Sequence, residues 1–261
     1  MGVENLIDIR KLLLPHKKLL SAAGLVLAVV LILLAVNAPA IVGVSATQRQ
    51  LPVYSVEQEE KLASLTFDAA WGNEDTQKLI DILALYNVRA TFFVVGDWVD
   101  RYPESVKALS DAGHEVMNHS DDHAHFSMLS ANDIALNIRS CNDKVSSITG
   151  KAPILFRCPY GEYDDHVIGT VTELGMTAIQ WDVDSLDWKG ISAGEIQDRV
   201  LSRVREGSII LFHNAADHTP EALPGIIEAL QRDGYTLLPV SELLLDGETV
   251  IDHTGRQKKA A

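Results

Sequence analysis

Seven short apolar runs recur along the chain, at "LASLTF", "ATFFVV", "HEVMN", "PILFR", "TAIQW", "SIILF" and "YTLLPV". Between them lie six stretches with apolar spacing of three and four: "TQKLIDILALY", "PESVKALSDAG", "ANDIALNIRSCNDKVSSI", "DHVIGTVTELG", "AGEIQDRVLSRVREG" and "PEALPGIIEALQRDG". Runs of the first kind suit strands, and spacing of the second kind suits one face of a helix. Several of the helical stretches end in Gly, which takes up the left-handed conformation of a helix terminus without steric cost. Alternation of this kind predicts parallel βα units, most simply a barrel of seven or eight strands, with a doubly wound open sheet as the alternative. A chain of 261 residues with 47% hydrophobic content is long enough to bury the core such a fold needs.

In parallel α/β folds, chemistry sits at the C-terminal ends of the strands. Asp68 follows "LTF", His119 follows "EVMN", Arg157 follows "ILF", His213 follows "IILF", and Asp182, Asp184 and Asp187 follow "TAIQW". Five strands thus direct ionisable residues to one rim, which predicts a site there.

The motifs narrow the chemistry. "HSDDH" puts His119 and His123 four residues apart, so that on a helical turn both imidazoles face one way and can hold a metal ion. His114 and His125 are read as structural. "FRCPYG" places Arg157 at a strand end. A buried guanidinium there needs a carboxylate, and Asp68 is the natural partner. In "DVDSLDW", Trp188 stands beside the acids, either as the floor of a sugar-binding groove or as a packing residue. An acid next to His213 in "LFHN" would fix its tautomer and raise its basicity. Metal, base, acid and orienting groups are the parts that metal-assisted hydrolysis requires. No serine elbow, phosphate-binding glycine loop or dinucleotide fingerprint competes with this reading.

Ahead of this domain, Arg10, Lys11, Lys17 and Lys18 precede an uncharged apolar run, residues 19–36. The segments expected are a basic cytoplasmic stretch (1–18), a transmembrane anchor (19–36), a linker (37–58), the catalytic domain (59–246) and a polar tail (247–261). Small residues near 38–40 and 44–46 admit a cleaved signal sequence instead. In either case the residues after about 50 are expected outside the cytoplasm. Residues 1–50 carry five basic and two acidic side chains, leaving 17 basic and 34 acidic in the remainder, a net charge of −17. Such a domain does not track along a phosphate backbone, so nucleic acid is not an expected partner. Any polymer it binds is gripped by shape and hydrogen bonds, and the chain is expected to be monomeric. The two cysteines, Cys141 and Cys158, form neither a disulfide framework nor a metal knuckle.

In their order, "TFDAAWG", "HSDDH", "RCPYG", "DSLDW" and "LFH" resemble the motifs of the polysaccharide deacetylases, carbohydrate esterase family 4, also called the NodB homology domain. The resemblance covers roughly residues 60–243, and residues 51–76 look most like the sporulation-associated, PdaB-like branch. It implies a deformed (β/α) barrel, a divalent metal such as zinc or cobalt, and removal of N-acetyl groups from amino sugars of peptidoglycan or a related cell-wall glycan. By position, Asp68 matches the family's catalytic base, His119 and His123 its metal ligands, and Arg157 the residue orienting the base. Asp187 matches the acid that orients a histidine, and His213 the general acid. Tyr160 matches the residue whose backbone amide helps hold the oxyanion, while Trp188 and Leu211 match walls of the acetyl pocket. Two departures stand out: the family's third metal ligand, an acid, is here Ala69, and an Asn common in the family is here Asp164. The first opens a second reading, a degenerate member that binds glycan without hydrolysing it. An O-acetyl esterase would use the same residues.

Overall fold

The computed structural model describes residues 24–30 and 49–260. Residues 24–30 are helical, and the rest of the expected anchor lies outside the described residues. Among the described residues no helix is long and apolar enough to cross a membrane.

The second unit begins at Arg49. Its strands are β1 (Ser55–Val56), β2 (Leu62–Ala69), β3 (Thr91–Val94), β4 (Glu115–Asn118), β5 (Leu155–Phe156), β6 (Thr177–Ala178), β7 (Val183–Asp184), β8 (Ser208–His213), β9 (Thr236–Leu237), β10 (Thr249–Ile251) and β11 (Arg256–Lys259). Its helices are α1 (Thr76–Leu85), α2 (Gly96–Arg101), α3 (Pro103–Asp111), α4 (Ala131–Thr149), α5 (Asp165–Glu173), α6 (Ala193–Leu201), α7 (Thr219–Arg232) and α8 (Val240–Leu243). All eleven strands join one curled mixed sheet in the order β10-β11-β1-β8-β2-β3-β4-β5-β6, with β7 paired to β8 and β9 to β2. From β8 through β6 every pairing is parallel. The curl is tied off by a parallel bridge between Val53 and Ile179, which joins the start of the domain to the end of β6. The expected α/β character and parallel strands are therefore present, in a sheet whose extra members are short or antiparallel.

Side-chain alternation along β2 sets the two layers. Ala63, Leu65, Phe67 and Ala69 enter the larger apolar cluster with residues of α1 and α7, such as Leu79 and Ile226. Ser64, Thr66 and Asp68 face the concave side, where Phe93, Met117, Leu155 and Ile209 form a smaller cluster. In register, Asp68 lies beside Phe93 and His213, while Ala69 lies beside Val94. The helices are capped by their own sequence: Ser192 and Glu195 form a capping box on α6, and the Asp164 carboxylate accepts the Val167 amide at the start of α5. Asp164 thus does a capping task that Asn performs equally well.

Two segments differ from expectation. Residues 53–56, expected within a linker, supply the Val53 bridge and then β1 (Ser55–Val56). Residues 249–259, expected as a polar tail, form a hairpin whose second strand pairs with β1. The hairpin is polar in sequence because it lies at the sheet edge, yet Gln257 is buried and its side chain accepts the Leu245 amide at 2.9 Å. Gly207 lets β1 come this close to β8: a Cβ there would lie 1.7 Å from the Val56 carbonyl oxygen, at a φ of +79°. Removal of residues 247–261 leaves the amides of Tyr54, Glu57 and Leu245 unpaired. The expected loss is about 2 kcal/mol or more. In a melting experiment this is a drop in Tm of at least about 4 °C; an unchanged Tm would contradict an integral hairpin.

Candidate active site

The concave rim gathers the residues that end the strands. Arg157, the residue after β5, is wholly buried. Its Nη1 donates to Asp68 Oδ1 at 2.8 Å and to Thr66 Oγ1 at 2.9 Å, and its Nη2 to the Gln180 carbonyl at 3.0 Å. The guanidinium lies 4.1 Å from the centroid of the Phe93 ring. Burial alone would raise the Asp68 pKa, but the charge and hydrogen bond of Arg157, helped by His213, outweigh it and hold the carboxyl below its usual range. The pairing expected from sequence is present.

His119 follows β4, and its Nδ1 lies 2.8 Å from the Arg157 carbonyl oxygen. A carbonyl only accepts, so Nδ1 carries the hydrogen and Nε2 keeps its lone pair. Nε2 lies 3.5 Å from Asp68 Oδ2. This is not an ion pair, because burial pulls the His119 pKa down and leaves the ring neutral. His123 is likewise neutral: burial, then the neighbouring His119, lowers it to about 4. The two rings lie 5.1 Å apart.

The helical turn expected for "HSDDH" is absent. Ser120 and His123 both have positive φ, +75° and +58°, and an irregular turn brings the imidazoles together. Asn118 Oδ1 accepts the Ser120 amide, and Ser120 Oγ accepts the His123 amide. Short polar side chains stabilise such turns in place of the helical ladder.

On the opposite wall, Asp187 sits in a single turn, Asp187–Lys189, after Leu186 at φ +58°. Four donors converge on its carboxylate: the His213 and Trp188 amides, His213 Nδ1 and Thr219 Oγ1, at 2.7–2.8 Å. Burial would lower the His213 pKa, but the hydrogen bond and charge of Asp187, with Asp68 and Asp184, raise it above 6.5.

Asp68, His119, His123, His213, Tyr160, Trp188 and Leu211 line one cavity of about 410 Å³, joined by Trp71, Trp181 and Asp184. Tyr160 has φ +60°, stacks on His125 at 4.3 Å and meets His123 edge-on at 4.5 Å. His125, held at 2.7 Å by Glu162, is thus a rim residue, whereas His114 accepts the Ala90 amide behind the sheet. Asp122 is not brought in; it accepts from Asn137 and Ala124. Asp182 accepts from Ser208 and the Ile209 amide, below the rim. Trp71 and Thr219 had no role assigned from sequence. The only signal for Trp71 was its place three residues after Asp68, and for Thr219 there was none.

Among the described residues no group of three or more His, Cys, Asp or Glu side chains could hold a metal ion. Ala69 cannot supply a third ligand, and strand register turns its methyl into the apolar layer beside Val94. The donor chemistry of His119 and His123 nevertheless fits a divalent cation as two of its ligands. Both rings are neutral, and His123 Nδ1 is buried without a partner.

A family model described as "Polysaccharide deacetylase" matches residues 55–179. The peptidoglycan-N-acetylmuramic acid deacetylase PdaA of Bacillus subtilis is 33% identical over 199 residues, 75% of this chain and 76% of that protein. The chain belongs to the polysaccharide deacetylase family. It is also 33% identical over 193 residues to the uncharacterized protein YlxY of Bacillus subtilis, matching 74% of this chain and 60% of YlxY. Among solved structures, a carbohydrate esterase family 4 pseudoenzyme of Bacillus anthracis superposes with a TM-score of 0.71 at 33% identity, covering 74% of this chain and 68% of that one. A mutant of that pseudoenzyme with restored enzymatic activity superposes equally well.

The raised His213 value contributes stability that is fully present below the ordinary imidazole value of 6.5 and is lost as pH rises through the folded value. The lowered Asp68 value acts the other way: its contribution is present above 3.8 and is lost as pH falls through the folded value. Titration of His213 followed by NMR should show a midpoint above 6.5 that falls in Asp187→Asn, since burial is then opposed mainly by the more distant Asp68 and Asp184. An unmoved midpoint would contradict the assignment of Asp187 as its partner.

Proposed function

We propose that this chain is a metal-dependent hydrolase that removes N-acetyl groups from amino sugars of a cell-envelope glycan, peptidoglycan of the spore cortex type. The observation that carries the reading is the placement of two oriented pairs on adjoining strands. Asp68, held by Arg157, stands beside His213, held by Asp187, and both line one cavity. A binding module has no need for a base, an acid and an orienting partner for each. The names of relatives such as PdaA support peptidoglycan as the substrate class, and the likeness of residues 51–76 to the PdaB-like branch supports the spore. The basic residues ahead of the apolar run 19–36 support a membrane anchor with the catalytic unit outside the cytoplasm.

His119 and His123 would hold the cation, zinc or cobalt, with further ligands from water or substrate. Such a cation, when bound, polarises a carbonyl and makes water more acidic. The chain's own residues do the remaining work. Arg157 engages Asp68 Oδ1 and leaves Oδ2 to take the proton of the attacking water. The depressed Asp68 pKa keeps that carboxylate ionised at neutral pH. Asp187 holds His213 by Nδ1, so Nε2 is the atom that delivers a proton to the departing sugar amine as the amide C–N bond breaks. Its raised pKa keeps a larger protonated share near neutral pH. The Tyr160 backbone amide holds the developing oxyanion, and Trp188 and Leu211 enclose the acetyl methyl.

Full-length protein supplied with zinc or cobalt should release acetate from peptidoglycan fragments or chitooligosaccharides, and Asp68→Asn should lower the rate by about 10²-fold or more. No release, with Asp68→Asn behaving identically, would overturn the proposal.

Ala69 favours a second reading, in which the chain binds glycan without hydrolysing it, as does the likeness to a family pseudoenzyme. Zinc titration separates the two. The hydrolytic reading expects the unaltered chain to bind zinc and His119→Ala to lose that binding. An unaltered chain that binds no zinc would support the non-hydrolytic reading.

A further inference from the structure

The two histidines of the "HSDDH" turn are held in different ways. The His119 ring is fixed by its own hydrogen bond to the Arg157 carbonyl, at 2.8 Å. The His123 ring has no such anchor at Nδ1, which is buried without a partner, and it meets Trp71 and Tyr160 as a neighbouring ring. Imidazoles that take a metal are ordinarily oriented by an acceptor on their second nitrogen. The position of His123 therefore depends on its backbone, which has a φ of +58° and follows Ser120 at +75°. Left-handed conformations at residues other than Gly cost free energy and persist only where the surroundings over-determine them.

What over-determines this turn lies outside the cavity. The two acids between the histidines, Asp121 and Asp122, line no part of it. They are taken up by α4, where Asn137, Ser140 and Lys144 follow one another at helical spacing on one face. Asn137 makes the central contact. Its Oδ1 accepts the Asp121 amide at 2.6 Å, and its Nδ2 donates to Asp122 Oδ1 at 2.8 Å. A backbone amide only donates, so the side-chain amide has one orientation, and it engages both acids at once. Ser140 Oγ donates to one oxygen of the Asp121 carboxylate at 2.9 Å, and Lys144 Nζ pairs with the other at 2.7 Å. None of the steps assigned to the cavity uses these residues.

We propose that Asn137 is a positioning residue for the cation site. By fastening the Asp121 amide and the Asp122 side chain to α4 it clamps the left-handed turn, and through the turn it keeps His123 paired with His119. The clamp replaces the direct acceptor that His123 Nδ1 lacks. It also explains why Asp122, an acid next to the two histidines, stays out of the site: its carboxylate is committed to Asn137 and to the Ala124 amide. This rests on the metal reading of the main site.

The test is titration of the full-length protein with cobalt(II), followed by visible absorption, beside the Tm of the metal-free protein. Asn137→Ala removes both bonds, and Asn137→Asp sets two carboxylates against each other; each should weaken cobalt binding by about tenfold or more. Adding Asp122→Asn to Asn137→Asp exchanges donor and acceptor across the same contact, and should bring the affinity back to within about threefold of the unaltered chain. Ser130→Ala removes the cap at the start of α4. It should lower Tm by about 2–4 °C and leave cobalt affinity within about twofold. Unchanged affinity in Asn137→Ala, no recovery in the exchanged pair, or equal weakening in Ser130→Ala would overturn the clamp and leave the metal reading standing. An unaltered chain that takes up no cobalt would overturn both.

Discussion

Arg157 carries a full positive charge into the closed side of the sheet, and four strands are organised around it. It holds Thr66 and Asp68 of β2 and the Gln180 carbonyl beyond β6, while its own carbonyl, just past β5, receives His119 from the end of β4. A buried guanidinium cannot shed its proton, so it must keep a carboxylate beside it. That requirement fixes the position of Asp68, the ionisation of Asp68 and the tautomer of His119 at once. The cation stacks on Phe93, whose ring belongs to the concave apolar cluster, so the polar centre and the interior packing are one structure.

The two carboxylates of the rim are treated differently. Asp68 is bound at one oxygen by Arg157 and has the other near His119. Asp187 is saturated by four donors and serves only to hold and charge His213. Environments that separate two acids in this way assign one to proton transfer and the other to orientation. The loops that bring these groups together are strained. Ser120, His123, Tyr160 and Leu186 all adopt positive φ, a conformation that side chains other than Gly seldom take. The strain is concentrated where the site is and is absent from β2 and β8, which carry Asp68 and His213.

Much of this was legible in the sequence. The seven apolar runs and six helical stretches all became strands and helices, because each buries a face whose periodicity is visible. The rim was legible for the same reason: a polar residue ending an apolar run has few places to go in a parallel sheet. What escaped lacked that signal. β7 has two residues, β10 and β11 form a polar edge hairpin, and α2 is a six-residue helix reading "GDWVDR". The turn from His119 to His123 was read as helical from spacing alone, since spacing carries no information about the left-handed φ at Ser120 and His123. Thr219 and Asn137 are polar residues in unremarkable local sequence, and only their contacts give them a role. Ala69 was visible as a departure from the family pattern, but its burial beside Val94 follows from strand register, which the sequence leaves open.

The division of labour between the two pairs is tested most directly by the pH dependence of acetate release from a chitooligosaccharide. A base held below the usual carboxylate range and an acid held above the usual imidazole value give a bell-shaped kcat/KM profile whose falling limb lies above 6.5. In Asp187→Asn that limb should move to lower pH, with the rising limb in place. A profile without a falling limb, or one that Asp187→Asn leaves unmoved, would contradict the assignment of His213 as the acid and with it the account of the site.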